Sequence, residues 1–215
     1  MLASHLQVPP REPAAAAPAS ALPHALSSED LLLLFAALDN LKHRCLLQLT
    51  YAAGLRLGEL VELRLTDLDF AARRVRVAGR NTRPDRWVPV GEAVWRELSN
   101  YRQVYQTVDL VFTGARGHRY NPRSVQAVLR RAVALSGIDP ATTVHSLRNS
   151  FAVHLLEQGT PPEHVRKLMG LATTRQLTPY LRRHPKKTPP NQPQQVSPSL
   201  ANYHPAHSAK SIKNA

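Results

Sequence analysis

Residues 144–180 decide the fold: VHSLRNSFAVHLLEQGTPPEHVRKLMGLATTRQLTPY. His145 and Arg148 stand three residues apart, a spacing that on a helix puts both side chains on one face, one turn apart. Phe151, Ala152, Leu155 and Leu156 follow at helical intervals, so the helix can be anchored against a core. Gln158-Gly159-Thr160-Pro161 reads as a helix stop and restart, with Thr160 as cap and Pro161 at the first helical position. A second short helix carries Val165, Leu168 and Met169 to Gly170, and Tyr180 comes ten residues later. A histidine–arginine pair, a helical hairpin and a late tyrosine point to phosphate chemistry with a tyrosine nucleophile.

Upstream, Ser27-Ser28-Glu29-Asp30 caps a helix through Leu31, Leu32, Leu34 and Phe35, with acids in its first turn as the dipole favours. Residues 42–53 read as a second, strongly apolar helix. Gly54 ends it, and Glu59 falls in the first turn of the next. Arg56 therefore lies at a junction between two buried elements, where Glu59 and Glu62 either brace it or face water. Residues 74–77 and 86–90 alternate with period two around the turn-rich GRNTRPD, which predicts a β-hairpin with a basic tip. Residues 91–105 read as a helix, and 110–112 as a short buried strand or extended run. Asn121-Pro122 opens a long helix that turns Val125, Val128, Leu129, Ala132 and Val133 inward and stops at Gly137-Ile138. Arg80, Arg83 and Arg86 around the hairpin, and Arg123 on this helix, are the candidate DNA contacts.

The ends differ from this middle. Residues 1–26 are rich in Pro and Ala and read as a flexible or extended leader. Residues 183–215 form a basic, Pro-rich tail, expected to be disordered because acids are absent and large apolar residues are few. The expected folded domain is residues 27–182, an α+β unit that is mainly helical with a small antiparallel hairpin or sheet.

Composition narrows the chemistry. The 215 residues include 28 Lys or Arg against 15 acids, a net charge of +13. The excess is not confined to the tail, since residues 29–180 hold 21 basic and 14 acidic residues, leaving +7. Such a surplus favours a polyanionic partner through counterion release, and its arginine bias suits bidentate phosphate contact. Cys45 is the only cysteine, so a disulfide framework or Cys-based metal site is excluded, and a reducing, cytoplasmic setting fits best. No apolar run approaches the ~20 residues a membrane-spanning helix needs. The other histidines show no metal-ligand spacing.

The order Arg56, basic hairpin, His145-x-x-Arg148, Gly170, Tyr180 resembles the catalytic domain of the tyrosine recombinases, the phage-integrase and Xer-like family. The matching pieces are TYAAGLRLGELVELRLTDLDF, RVRVAGRNTRPDRWVPV, VHSLRNSFAVHLLEQG and VRKLMG followed by Tyr180. The resemblance implies site-specific strand transfer on duplex DNA without metal, ATP or other cofactor, and a homo-oligomer on the DNA. Tyr180 would form a 3′-phosphotyrosyl link and release a 5′-hydroxyl. Arg56 and Arg148 would hold the charge that develops on the phosphate oxygens, and His145 would bond the phosphate or assist proton movement. Glu59 matches the acidic position that supports the arginines.

The chain departs from the family pattern at named positions. Arg80 aligns with the hairpin lysine that serves as general acid, and an arginine donates a proton poorly near neutrality. Leu171 follows Gly170 where the family usually has His or Trp, and leucine offers no hydrogen bond. Asn149 stands where Xer-like members often carry a second histidine. Arg80 and Leu171 predict slower cleavage, and they leave open a non-enzymatic DNA-binding remnant or regulator on the same fold. The leader also stands where family members carry an N-terminal helical DNA-clamping domain.

Overall fold

The computed structural model describes residues 24–79 and 84–183. The leader through residue 23, the hairpin tip with Arg80 and Arg83, and the tail from residue 184 lie outside the described residues.

Helix α1 (Ser28–Ala36) starts at a reciprocal cap: the Ser27 hydroxyl accepts the Asp30 N–H at 3.0 Å, and the Asp30 carboxylate accepts the Ser27 N–H at 3.2 Å. It buries Leu31, Leu34 and Phe35. Helix α2 (Leu41–Ala52) is buried without a break from Cys45 to Ala52, because α4, α5 and α6 pack around it. Tyr51 on α2 meets the buried His154 on α6 by a 2.8 Å hydroxyl–Nδ1 hydrogen bond, which marks His154 as a core residue. Helix α3 is short (Leu57–Glu62).

The sheet follows. Strands β1 (Leu68–Asp69), β2 (Arg74–Val77) and β3 (Arg86–Pro89) are antiparallel in the order β1-β2-β3, with Val75 opposite Val88 and Val77 opposite Arg86. The predicted hairpin is there, plus a strand whose two residues are too few to show an alternation. Val75, Val77 and Val88 face the core. On the other face, the Arg74 guanidinium lies 4.4 Å over the exposed Trp87 ring.

Helix α4 (Glu92–Tyr105) closes over the sheet side of α2. The next segment is extended but forms no ladder of its own: Val111 donates to the Leu63 carbonyl (2.9 Å), and Leu65 to the Asp109 carbonyl (2.8 Å). Helix α5 (Pro122–Ser136) begins at Asn121, whose side chain accepts the Arg123 N–H, and ends at Gly137 in the left-handed region. Helix α6 (Val144–Glu157) is buried on nearly every side. Helix α7 (Pro162–Met169) starts one residue later than predicted. Thr160 belongs to the closing turn of α6 instead: its N–H returns to the Leu155 carbonyl (2.9 Å) past Gly159 at φ 82°. Pro161 then takes the capping position and Pro162 the first helical one. A 3-10 turn at Thr174–Leu177 leads into α8 (Thr178–Arg183), where Pro179 fits the first turn and Tyr180 faces inward.

Packing against the helices starts ahead of residue 27. Leu26 is buried, and its N–H donates to the Ser150 hydroxyl on α6 at 2.8 Å. Its single apolar side chain is too little signal to be separated from the Pro/Ala leader by periodicity.

Candidate functional site

The site is assembled around Glu59. Helix α2 ends at Gly54, whose φ of +55° suits glycine; a Cβ there would stand 2.5 Å from Phe151 Cδ1. This close approach brings the α2–α3 turn onto α6. Glu59, in the first turn of α3, accepts the Arg56 N–H (2.8 Å) and the Arg56 guanidinium (2.9 Å). Arg86, arriving from β3, grips both oxygens of the same carboxylate at 2.9 and 2.8 Å. Arg148 Nη1 on α6 lies 3.9 Å from Glu59 Oε2.

The end of α7 supplies the rest of the scaffold. The last carbonyls of a helix lack intrahelical partners and carry its partial negative charge. Here the Leu168 carbonyl accepts Arg86 Nε (2.7 Å), the Met169 carbonyl accepts Arg148 Nη2 (2.5 Å), and the Gly170 carbonyl accepts Arg56 Nη2 (3.3 Å). Three successive carbonyls thus hold three different arginines. Arg148 also donates to the Gly54 carbonyl, so it is fastened at both ends of its fork. Gly170 sits at φ +59°, and a Cβ on it would come 2.9 Å from Arg86 Nη1.

Three guanidiniums share one carboxylate, leaving a formal surplus of +2 around Glu59. Burial alone would raise the Glu59 carboxyl, but the Arg86 hydrogen bonds and charge, with the Arg56 N–H and Arg148, outweigh it and hold the group at about 2. Arg148 is pushed down to about 9, first by burial and then by Arg56, against the pull of Glu59. It therefore remains charged at neutral pH. Arg148 is 3% exposed, whereas the Arg56 side chain is 32% exposed, so Arg56 is where this charge reaches solvent.

His145 stands exposed one turn before Arg148, its imidazole shifted downward by partial burial and by the charges of Arg148 and Arg56. Tyr180 is buried, and its hydroxyl donates to Asn149 Oδ1 at 2.9 Å. Burial raises the phenol, partly offset by Arg148 and Arg56. The fold therefore places both His145 and Tyr180 within electrostatic reach of Arg56 and Arg148. Leu171 is half-buried against the core; its backbone N–H goes to the Arg166 carbonyl (3.0 Å), and its side chain has nothing to donate.

The candidate DNA contacts fare differently. Arg86 is corrected: its side chain is only 9% exposed and is committed to Glu59 and Leu168, because β3 points residue 86 toward α7 and away from the hairpin's outer face. It is a brace. Arg123 is exposed on the first turn of α5 and takes no part in the Glu59 cluster. Arg80 and Arg83 fall outside the described residues. Sequence reasoning missed Asn149 as the partner of Tyr180, although Ser146, Asn149 and Ser150 form a polar stripe at helical spacing on an otherwise apolar helix. The three α7 carbonyls had no signal, since any residue supplies one. Among the described residues, no group of three or more His, Cys, Asp or Glu is placed to hold a metal ion, and no helix is long and apolar enough to cross a membrane.

The mainly helical domain with its small antiparallel sheet is a fold shared with solved recombinases. The chain superimposes on XerA recombinase with a TM-score of 0.69 at 24% identity, over 74% of this chain and 60% of that one. Against a lambda integrase dimer bound to a core site the TM-score is 0.64 at 17% identity, over 83% and 66% of the two chains. The pattern of the phage integrase family matches residues 24–187, and the chain belongs to that family. Tyrosine recombinase XerC of Corynebacterium glutamicum is 35% identical over 136 residues, 61% of this chain and 44% of the relative. Tyrosine recombinase XerC of Staphylococcus aureus strain USA300 is 32% identical over 197 residues, 80% of this chain and 64% of the relative. The chain thus spans less than two thirds of these relatives' length.

Proposed function

We propose that this chain is the catalytic part of a site-specific recombinase that cuts and rejoins duplex DNA through Tyr180. The observation that carries the reading is the surplus of buried, pre-positioned guanidinium around Glu59, reaching solvent at Arg56 and His145 beside the tyrosine. Donors fixed before the substrate arrives need no reorganisation when negative charge builds on a phosphate, which is where such groups contribute most. Tyr180 Oη bonds to phosphorus and gives up its proton, the bond from phosphorus to the 5′-oxygen breaks, and that oxygen takes a proton. Attack by a second strand's 5′-hydroxyl reverses the step. Arg56 and Arg148 bind the non-bridging oxygens. His145, depressed below its ordinary value and so neutral near pH 7, can accept a hydrogen bond or a proton. The phosphotyrosyl link keeps the ester energy, so no cofactor is required. The partners are duplex DNA and further copies of the chain on it, in the cytoplasm.

Leu171 favours a second reading, a DNA-binding protein that has lost cleavage, because it removes a donor worth on the order of 10²–10³ in rate at such sites. A nicked suicide duplex library separates the two. The recombinase reading expects a covalent adduct on denaturing gels that is absent in Tyr180→Phe. Salt-sensitive DNA binding with no adduct from the wild-type chain would establish the second reading instead.

A further inference from the structure

Helix α6 carries a polar stripe where its surroundings call for apolar residues. Ser146, Asn149 and Ser150 are 2%, 4% and 0% exposed. Burying three polar side chains is costly unless each is hydrogen-bonded. Ser146 also bonds Thr143, and Ser150 also bonds the Ser146 carbonyl; the segment 24–26 adds a partner to each of the three as a strap laid across the helix. His24 bonds Ser146 Oγ through Nδ1 (3.0 Å) and Asp139 Oδ2 through Nε2 (2.9 Å). The Leu26 N–H donates to Ser150 Oγ at 2.8 Å. Asn149 Nδ2 donates to the His24 carbonyl at 3.2 Å.

That last bond has a directional consequence. A backbone carbonyl can only accept, so Asn149 must turn its NH2 toward the strap. Its Oδ1 then faces the opposite way, onto the Tyr180 hydroxyl 2.9 Å off. An amide oxygen is itself only an acceptor, so the phenol is obliged to donate and is held neutral in one orientation. If the amide were reversed, NH2 would face the phenol and two oxygens would face each other at the strap.

We propose that Asn149 is a positioning residue for Tyr180, and that the strap of residues 24–26 sets which way round its amide stands. This rests on the reading of Tyr180 as the nucleophile. The device parks and aims the hydroxyl from a segment more than 150 positions away in sequence. It links the point where the chain enters the domain to the reacting atom through a single side chain.

The test has a limb that needs no DNA. In the full chain labelled with 3-fluorotyrosine, the Tyr180 resonance is identified by its absence in Tyr180→Phe and titrated by fluorine NMR. The charges that face the phenol, Arg148 and Arg56, are untouched by the substitutions used. Asn149→Leu removes the acceptor of the neutral form and should raise the ionisation constant of Tyr180 by about tenfold, the equivalent of one neutral hydrogen bond. Asn149→Asp replaces a neutral acceptor with a charged one and should move it in the opposite direction. A residue that merely fills space would give no shift, or shifts of one sign. His24→Ala loosens the strap and should move Tyr180 in the same direction as Asn149→Leu, by less. Added to Asn149→Leu it should do nothing further. Absence of opposite signs would overturn the positioning role, and additivity of the His24 and Asn149 effects would overturn the strap. Should Asn149→Leu fail to fold, Asn149→Asp and His24→Ala carry the same decision by their opposite signs. The second limb is single-turnover cleavage at saturating DNA, where Asn149→Leu should be slower by up to about 10²-fold with half-saturation unchanged. A wild-type chain that forms no adduct would sink the nucleophile reading alone, because the titration still reports on the hydrogen bond.

Discussion

Two sets of arginines in this molecule behave oppositely, although their residue type and spacing look alike. On the outer surface, one set of four arginines is matched to acids: Arg64 with Asp109, Arg74 with Asp69, Arg76 with Asp67 and Asp85, Arg119 with Glu62. Around Glu59, three guanidiniums share one carboxylate and are completed by backbone carbonyls. Carbonyls satisfy the N–H groups without cancelling the charge. This paired outer set is therefore close to neutral, and the inner set holds a surplus. What marks an anion site is not the number of arginines but what their hydrogen bonds are spent on.

The largest expected effect comes from removing the one inner carboxylate. Glu59→Gln leaves Arg86 buried beside Arg148 with no counter-charge, a change that in other buried pairs costs about 3–5 kcal/mol. Thermal or urea unfolding should show that loss, and DNA cleavage should fall with it. The same carboxylate makes the fold acid-sensitive. Its folded value of about 2 lies below the ordinary 4.5, so the folded state binds fewer protons than the unfolded state between them. The stabilisation is complete above about pH 4.5, declines as the pH falls toward 2, and amounts to about 3 kcal/mol. Glu59→Gln should flatten this limb of the pH–stability curve. If the acid limb is unchanged, Glu59 is not what makes the fold acid-sensitive.

Arg148→Lys is the next test and reads function more than stability. A lysine keeps one charge but cannot bridge the Gly54 and Met169 carbonyls while presenting a planar fork. Adduct formation should drop on the order of 10²–10³-fold, the scale of losing one fixed donor. DNA affinity, measured by salt-dependent binding, should change far less, because the rest of the basic surface is intact. Equal losses in cleavage and affinity would mean that Arg148 acts only as a charge.

Most of the helical frame was legible because it rests on local signals. Ser27 and Asp30 form the expected cap, Gly54 and Gly137 stop helices in the left-handed region, and Asn121-Pro122 opens α5. The Arg74–Val77 and Arg86–Pro89 strands follow from alternation. Arg56, His145, Arg148 and Tyr180 could be singled out because side-chain identity in a fixed order carries the signal. The rest depends on contacts between distant segments. Arg86 sits in a basic hairpin and looks like its neighbours, yet strand register turns it inward, where Glu59 lies 27 positions upstream. The α7 carbonyls are invisible in principle. Asn149 stands out in the sequence only as a departure from the family pattern, and its bonds are hidden because its two partners, His24 and Tyr180, lie 125 and 31 positions away.

The smallest effect should come from the outer set, and it is the one that gives the comparison its sharpest edge. Arg64 Nη1 reaches both oxygens of Asp109 at 2.7 and 2.8 Å, distances as short as those of the two Arg86 nitrogens on Glu59. The difference is solvent: the Arg64 and Asp109 side chains are 58% and 60% exposed. Water competes for both partners, salt screens them, and two long side chains lose freedom by staying together. Arg64→Ala should therefore cost only about 0.2–1 kcal/mol in unfolding, and less as salt is added. Cleavage of the suicide duplex should stay near wild type, since the Glu59 cluster keeps every partner. A loss comparable to that of Glu59→Gln would mean that short charged contacts set the energy whatever the burial. The contrast between the two arginine sets would then have to be drawn on different ground.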